Sequence, residues 1–169
     1  MTLDELNQLD KPALAEALQK CCGSQAWVQQ MLAVFPVADA DTLMDHANTV
    51  WNSLSEDDWR EAFAHHPKIG SDVASLRAKF ASTSDWAEGE QAAVKNASED
   101  VLQALADGNR AYEQKFGYIF IVFATGKTAE EMLALLQARL LNKPDDEILI
   151  AAREQNKITR IRLEKLLAA

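Results

Sequence analysis

Tyr118-Ile119-Phe120-Ile121-Val122-Phe123-Ala124 is the most apolar run in the chain, and its reading decides the fold. Its aromatic and β-branched side chains favour a buried strand by propensity alone. A strand, however, needs a neighbour to receive its backbone N–H and C=O groups, because burying them unpaired is costly. No other stretch of the 169 residues is convincingly β-rich. The run is therefore expected to be an extended core segment or the start of a buried helix, within an all-α protein.

The flanking sequence supports that expectation. Upstream, a helical pattern opens at Ser98, passes through Leu102, Leu105, Ala106, Tyr112 and Phe116, and is closed by Gly117. Downstream of Gly126-Lys127, Thr128 caps a further helix with Glu131 at the capping-box position, running through Met132, Leu133, Leu135, Leu136 and Leu140. Asn142-Lys143-Pro144 ends it. Asp145 or Asp146 then starts a terminal helix with Ile148, Leu149, Ala152, Ile158, Ile161 and Leu166 as its apolar positions.

Towards the N-terminus, Leu3, Leu6, Leu9, Leu14 and Leu18 recur at helical spacing, with Thr2 and Asp10 available as N-caps and Pro12 tolerable in a first turn. A second pattern runs from Ser24 through Trp27, Met31, Leu32 and Phe35 to Pro36, and a third from Asp41 to Leu54. Ser55-Glu56-Asp57-Asp58 is a capping sequence for a helix through Trp59 and Phe63 that ends at two histidines. A further helix is expected from Ser84 or Asp85 through Val94, irregular near Gly89. No Gly/Ser/Pro-rich linker interrupts the chain, so residues 1–169 are read as a single compact multi-helix domain.

Composition narrows the function. The formal charge of −9 opposes attraction to phosphate backbones, so nucleic acid is not expected as a partner. Arg153, Lys157, Arg160, Arg162 and Lys165 nevertheless gather near the end and could offer a small anion a local positive site. The two cysteines, Cys21 and Cys22, are adjacent, and a bridge between neighbours would be strained, so reduced thiols are expected. No apolar stretch reaches the roughly 18–20 residues of a membrane span, and Met1-Thr2-Leu3-Asp4-Glu5 lacks the features of a signal peptide. These features point to a cytoplasmic protein with no membrane partner.

His65-His66-Pro67 holds two of the three histidines of the chain. Pro67 fixes its own φ and pushes His66 out of helical conformation, so the imidazole can project from a helix end while its backbone is held. The bland reading is a helix C-terminal residue favoured by the dipole; the functional one is a ring that donates or accepts a proton near neutral pH. Glu90-Gln91 reads by default as part of an acidic helix start, and functionally as a carboxylate and amide that orient an imidazole or grip a urea group. Arg162 reads by default as a solvated helix charge, and functionally as a fork for a carboxylate. The scattered single glycines form no phosphate loop, and there is no His-x-x-x-His or Cys-x-x-Cys spacing, so neither metal nor cofactor is expected.

His66-Pro67, Glu90-Gln91, Lys115-Phe116-Gly117-Tyr118-Ile119-Phe120, Arg139-Leu140-Leu141-Asn142 and Lys157-Ile158-Thr159-Arg160-Ile161-Arg162-Leu163 stand in one order along the chain. Together they resemble the 2-oxo-4-hydroxy-4-carboxy-5-ureidoimidazoline (OHCU) decarboxylase family of purine catabolism, with weaker likeness around Cys22-Gly23 and Trp27. The resemblance implies an all-helical fold, a homodimer, and conversion of OHCU from urate oxidation to (S)-allantoin with release of carbon dioxide. It implies that His66 is the catalytic proton donor and that Glu90 orients or polarises. Pro67, Ala87, Glu90, Gln91 and Arg162 would contact substrate, and so would Phe120, Ile121, Val122, Phe123 and Ala124, largely through their backbone. Ala87 stands where many relatives carry Ser, and Lys68 where an acidic residue is common. The competing reading is a non-catalytic helical ligand-binding or interaction protein on the same scaffold; a cysteine hydrolase lacks a Cys/His/acid arrangement.

Overall fold

The computed structural model describes residues 1–67, 72–81 and 99–168. Nine helices and no strand occur among them, as expected for an all-α chain: α1 (Leu3–Gln8), α2 (Lys11–Cys21), α3 (Gln25–Leu32), α4 (Ala40–Ser53), α5 (Glu56–Ala64), α6 (Val73–Ala81), α7 (Glu99–Phe116), α8 (Ala129–Leu140) and α9 (Pro144–Ala168). They fall into two compact units, Met1–His66 with Ala152–Ala169, and Pro67–Ala151.

In the first unit the helix starts are written in short polar side chains. Thr2 and Ser55 each form a reciprocal capping box, with Glu5 and Asp58 respectively. Asp10, Ser24 and Asp39 accept from the third backbone N–H of α2, α3 and α4. Such caps satisfy donors that the first helical turn leaves without intrahelical partners. Leu6, Leu18, Trp27, Met31, Trp51 and Phe63 are fully buried. Each contributes about 1.5–3 kcal/mol through the apolar surface it removes from water. The C-terminal part of α9 is tied in by Trp51 Nε1, which donates to Ala152 O at 2.9 Å, and by the N-terminal ammonium, which donates to Leu166 O at 2.9 Å. α3 stops at Leu32, short of the expected Pro36, in a turn through Ala33 and Val34.

In the second unit α7 crosses α8 closely. A Cβ on Gly108 would stand 2.6 Å from Leu136 Cδ2, so any larger residue would force that buried side chain to shift. Gly117 ends α7 at φ 84°, a left-handed conformation that residues with a Cβ adopt at a cost. Residues 118–124 then run on as neither helix nor strand, the extended core alternative of the sequence reading. Tyr118, Ile121 and Val122 are buried, while Ile119, Phe120, Phe123 and Ala124 are half-buried. α6 is an addition to the expected helices: Asp72 starts it by accepting from Ser75 N at 2.7 Å, a cap that the weak apolar pattern of 73–81 does not advertise. The helix expected from Ser84 or Asp85 lies outside the described residues.

With no neighbouring strand, the 118–124 segment draws on side chains. Arg139 Nη1 donates to Ile121 O at 2.6 Å, and Lys127 Nζ donates to Phe123 O at 2.7 Å. Arg139 also donates through Nε at 2.9 Å and Nη2 at 2.5 Å to Glu147 Oε2, which accepts from Tyr112 Oη as well. Asn142 Nδ2 donates to the other carboxylate oxygen at 3.0 Å. Glu147 is wholly buried and Arg139 nearly so. Burial, and then donation to Glu147, push the Tyr112 hydroxyl far above its ordinary pKa, so it remains a donor. The guanidinium carbon lies 4.5 Å from the Phe120 ring centroid.

Arg139→Met leaves Glu147 a buried charge without its counter-ion and is expected to lower unfolding free energy by about 3–5 kcal/mol. Urea denaturation followed by tryptophan fluorescence reads this loss. Arg139→Met/Glu147→Leu should recover a substantial part of it, because the pair is removed together with its desolvation cost.

Candidate active site

The end of α5 sets the position of His66. Phe63 is fully buried and anchors the last turn, while His65 N and His66 N donate back to Ala62 O and Phe63 O, each at 3.2 Å. His65 caps the helix at φ −79°, ψ −10°, and Pro67 prevents further helical bonding. The His65 ring lies against Gly23, where an added Cβ would come within 2.4 Å of Cγ. Cys22-Gly23 thus has a steric reason to end in glycine: a larger residue would displace the turn that carries His66.

His66 is half-buried, and its Nε2 meets Gln155 Oε1 at 2.5 Å. Gln155 Nε2 donates in turn to Thr159 Oγ1 at 3.1 Å. Both partners are almost fully buried, at 1% and 2% exposure, although neither is apolar. Thr159 also shares a hydrogen bond with the Cys22 thiol. Positions 155, 159 and 162 lie on one face of α9 by helical spacing, and half-buried Arg162 directs Nη1 to Cys21 O at 3.5 Å. One helix face thus brings Gln155, Thr159 and Arg162 to the end of α2 and the end of α5.

The structure corrects two details of the sequence reading. Arg162 is not the solvated charge of its default reading, because it turns inward to the α2 terminus. Its basic neighbours are surface residues: Lys157 pairs with Glu154 at 2.7 Å and Arg160 with Glu164 at 3.3 Å. The buried stripe of α9 runs through Ile148, Ala151, Ala152, Gln155, Thr159 and Leu163, whereas Leu149 is 53% exposed. A reading by hydrophobicity passes over Gln155 and Thr159. Their signal is the spacing to Arg162 on a helix whose other surface already carries the charges.

Pro67 follows as an exposed residue. Phe120 to Ala124 belong to the second unit, with carbonyls of Ile121 and Phe123 held by Arg139 and Lys127. Glu90, Gln91 and Ala87 lie outside the described residues. Cys21 and Cys22 are free, buried thiols. Loss of solvation raises both to about 11, against the smaller opposite pull of Arg162 on each. Protonated thiols are poor nucleophiles, which weighs against the cysteine hydrolase.

Those thiols give a signed pH dependence. Their folded pKa lies above the unfolded value of 9.0, so the stability they contribute is complete below pH 9 and is lost as pH rises through about 11. Unfolding free energy should fall by a few kcal/mol, on the order of 1.4 per pH unit for each thiol, across that window. Denaturation curves at pH 8 to 11 check this, and Cys21→Ala/Cys22→Ala should show a shallower decline than the wild type.

The model of a family described as OHCU decarboxylase matches residues 7–164. Over 147 residues the chain is 40% identical to the uric acid degradation bifunctional protein TTL of Arabidopsis thaliana, covering 86% of this chain and 45% of that protein. It is 26% identical over 173 residues to the 2-oxo-4-hydroxy-4-carboxy-5-ureidoimidazoline decarboxylase of Halalkalicoccus jeotgali, covering 98% and 92% respectively. A crystal structure of OHCU decarboxylase in the presence of (S)-allantoin aligns with a TM-score of 0.71 at 35% identity, over 89% of this chain and 96% of that one. The chain spans less than half the length of the bifunctional relatives it matches. With the family match running through both units, this chain belongs to the OHCU decarboxylase family.

Proposed function

We propose that this protein decarboxylates OHCU to (S)-allantoin in urate breakdown, without a cofactor. The observation that carries the reading is the half-buried His66, held at Nε2 by a buried amide, in a chain that matches the OHCU decarboxylase family from residue 7 to 164. Relatives named for uric acid degradation, and a structural neighbour described as OHCU decarboxylase with (S)-allantoin, support the same substrate.

The substrate suits such a site. Its carboxylate stands on a carbon next to one that is double-bonded to a ring nitrogen. When the C–C bond to carbon dioxide breaks, its electron pair forms a new bond between those two carbons, and the electrons of the C=N bond pass to nitrogen. The nitrogen takes up one proton, and the resulting enol returns to a carbonyl as its hydroxyl gives up a proton and another is delivered to the neighbouring carbon, which becomes the stereocentre. No external electron sink is needed. The protein must hold the carboxylate out of the ring plane and supply the proton on one face.

In this reading His66 delivers that proton, and Glu90 orients or polarises. Glu90 and Gln91 hold the ring or the ureido group, Pro67 and Ala87 also touch substrate, and Arg162 holds an anion as a guanidinium fork. The backbone of Phe120, Ile121, Val122, Phe123 and Ala124 lines the substrate. The whole chain serves as one catalytic domain, acts as a homodimer and works in the cytoplasm. No helix among the described residues is long and apolar enough to cross a membrane.

The test is circular dichroism during urate oxidation with freshly formed OHCU, comparing wild type, His66→Ala and no enzyme. Rapid appearance of (S)-allantoin with wild type alone is expected, with His66→Ala slowed by about 10²–10⁴-fold. Wild type that merely follows the uncatalysed racemic course would favour the non-catalytic ligand-binding protein. Equal activity of both proteins would keep the reaction and remove His66 as its acid.

A further inference from the structure

We infer that Gln155 is the positioning residue of the reaction: it fixes the ring plane of His66 and keeps one imidazole proton on Nε2. The inference rests on the role proposed for His66.

The argument begins with the amide. Its oxygen accepts hydrogen bonds and never donates one, so a 2.5 Å approach to His66 Nε2 requires the hydrogen to lie on the imidazole nitrogen. Rotation of the amide by half a turn would present its NH₂ to the ring and reverse that requirement. Thr159 opposes the rotation: with its hydroxyl proton directed at the Cys22 sulfur, Oγ1 is left to accept from Gln155 Nε2 at 3.1 Å, and a rotated amide would present an oxygen to it instead. The Thr159 side chain is itself engaged by the Cys22 thiol, and Gln155, Thr159 and Cys22 are all buried, at 1%, 2% and 0% exposure. An apolar residue would fill this space with less desolvation cost. A glutamine here acts chiefly as a neutral acceptor aimed at one nitrogen.

Neutrality has a chemical consequence. A carboxylate in the same place would favour the imidazolium and hold its proton more tightly, whereas an amide orients the ring and leaves the proton transferable. Among the described residues, the titratable and charged side chains nearest this cluster along its own elements include His65 and Glu61 on α5 and its cap, Cys21 and Cys22 at the end of α2, and Glu154, Lys157 and Arg162 on α9. Both thiols stay protonated until about pH 11, so they do not change charge in the range where an imidazole titrates.

The test is a ¹⁵N NMR titration of the protein labelled at histidine, where only His46, His65 and His66 contribute and His66→Ala assigns the third signal. It is run on wild type, Gln155→Glu, Gln155→Leu, Thr159→Val and Thr159→Ser, with kcat and KM for OHCU measured across the same pH range. The wild-type ring should show the Nε2–H tautomer. Gln155→Glu should raise the His66 titration by about one pH unit or more, and Gln155→Leu should lower it. Gln155→Leu should lose about 10–100-fold in kcat with KM little changed, as expected when a catalytic group is misplaced while substrate binding is kept. Thr159→Val should weaken the tautomer preference, and Thr159→Ser should restore it.

A wild-type ring protonated at Nδ1 when neutral would overturn the inference. So would a His66 titration unmoved by either Gln155 variant, or kcat losses that merely follow thermal destabilisation. The tautomer and titration are read without turnover. A wild type with the expected ring state but no OHCU decarboxylation would therefore refute the proposed function, and with it the catalytic part of the inference, while leaving the hydrogen-bond assignment intact.

Discussion

The buried pair of Arg139 and Glu147 is the constraint around which the second unit is organised. Taking both charges out of water costs several kcal/mol per ion, and their attraction offsets this only when the remaining hydrogen-bond capacity is used. Tyr112 and Asn142 complete the carboxylate, and Ile121 O receives a guanidinium donor. The pair therefore does more than stabilise. It supplies the donor that a strand neighbour would otherwise provide, and so allows an apolar segment to run extended through an all-helical protein.

The first unit answers the same problem on a smaller scale. Gln155 and Thr159 are polar groups in a buried stripe, and each has its hydrogen-bonding capacity engaged by a neighbour: His66, the other residue, and Cys22. Gly23 contributes by what it lacks, since only the absence of a Cβ lets the His65 ring settle against the α2 terminus. Both units thus use buried polarity to hold a short irregular segment in place, residues 118–124 in one and the histidine turn in the other. These are the segments on which the proposed chemistry falls, and irregular backbone held by a rigid scaffold is where such chemistry tends to sit.

Much of this is legible from the residues. The caps at Thr2, Asp10, Ser24, Ser55 and Thr128 stand where the sequence places helix starts, because a short side chain reaching its own third amide is a local interaction. The 118–124 run reads as extended or as the start of a buried helix from a counting argument about backbone partners, and the absence of any second β-rich stretch decides against a sheet. α6 escapes such a reading because its apolar pattern is weak and its cap at Asp72 carries no accompanying periodicity. Of the candidate site, His66 and Arg162 stand out by residue type and position, and the resemblance points to Phe120 through Ala124. Gln155 does not stand out, because hydrophobic periodicity assigns polar residues to the surface.

The sequence by itself determined most of the capped helix starts, that the chain is all-α, and which side chains have chemistry to offer, since these follow from interactions spanning a few residues. Only the tertiary structure decided which way those side chains face and what accepts their protons. His66 and Gln155 are 89 residues apart, and Arg162 and Cys21 are 141. No local rule pairs a histidine after α5 with an amide on α9, or turns one arginine of a basic stretch inward while Lys157 and Arg160 stay with nearby glutamates. Those choices are made by packing, because a buried polar group is tolerated only where another element arrives with the complementary donor or acceptor.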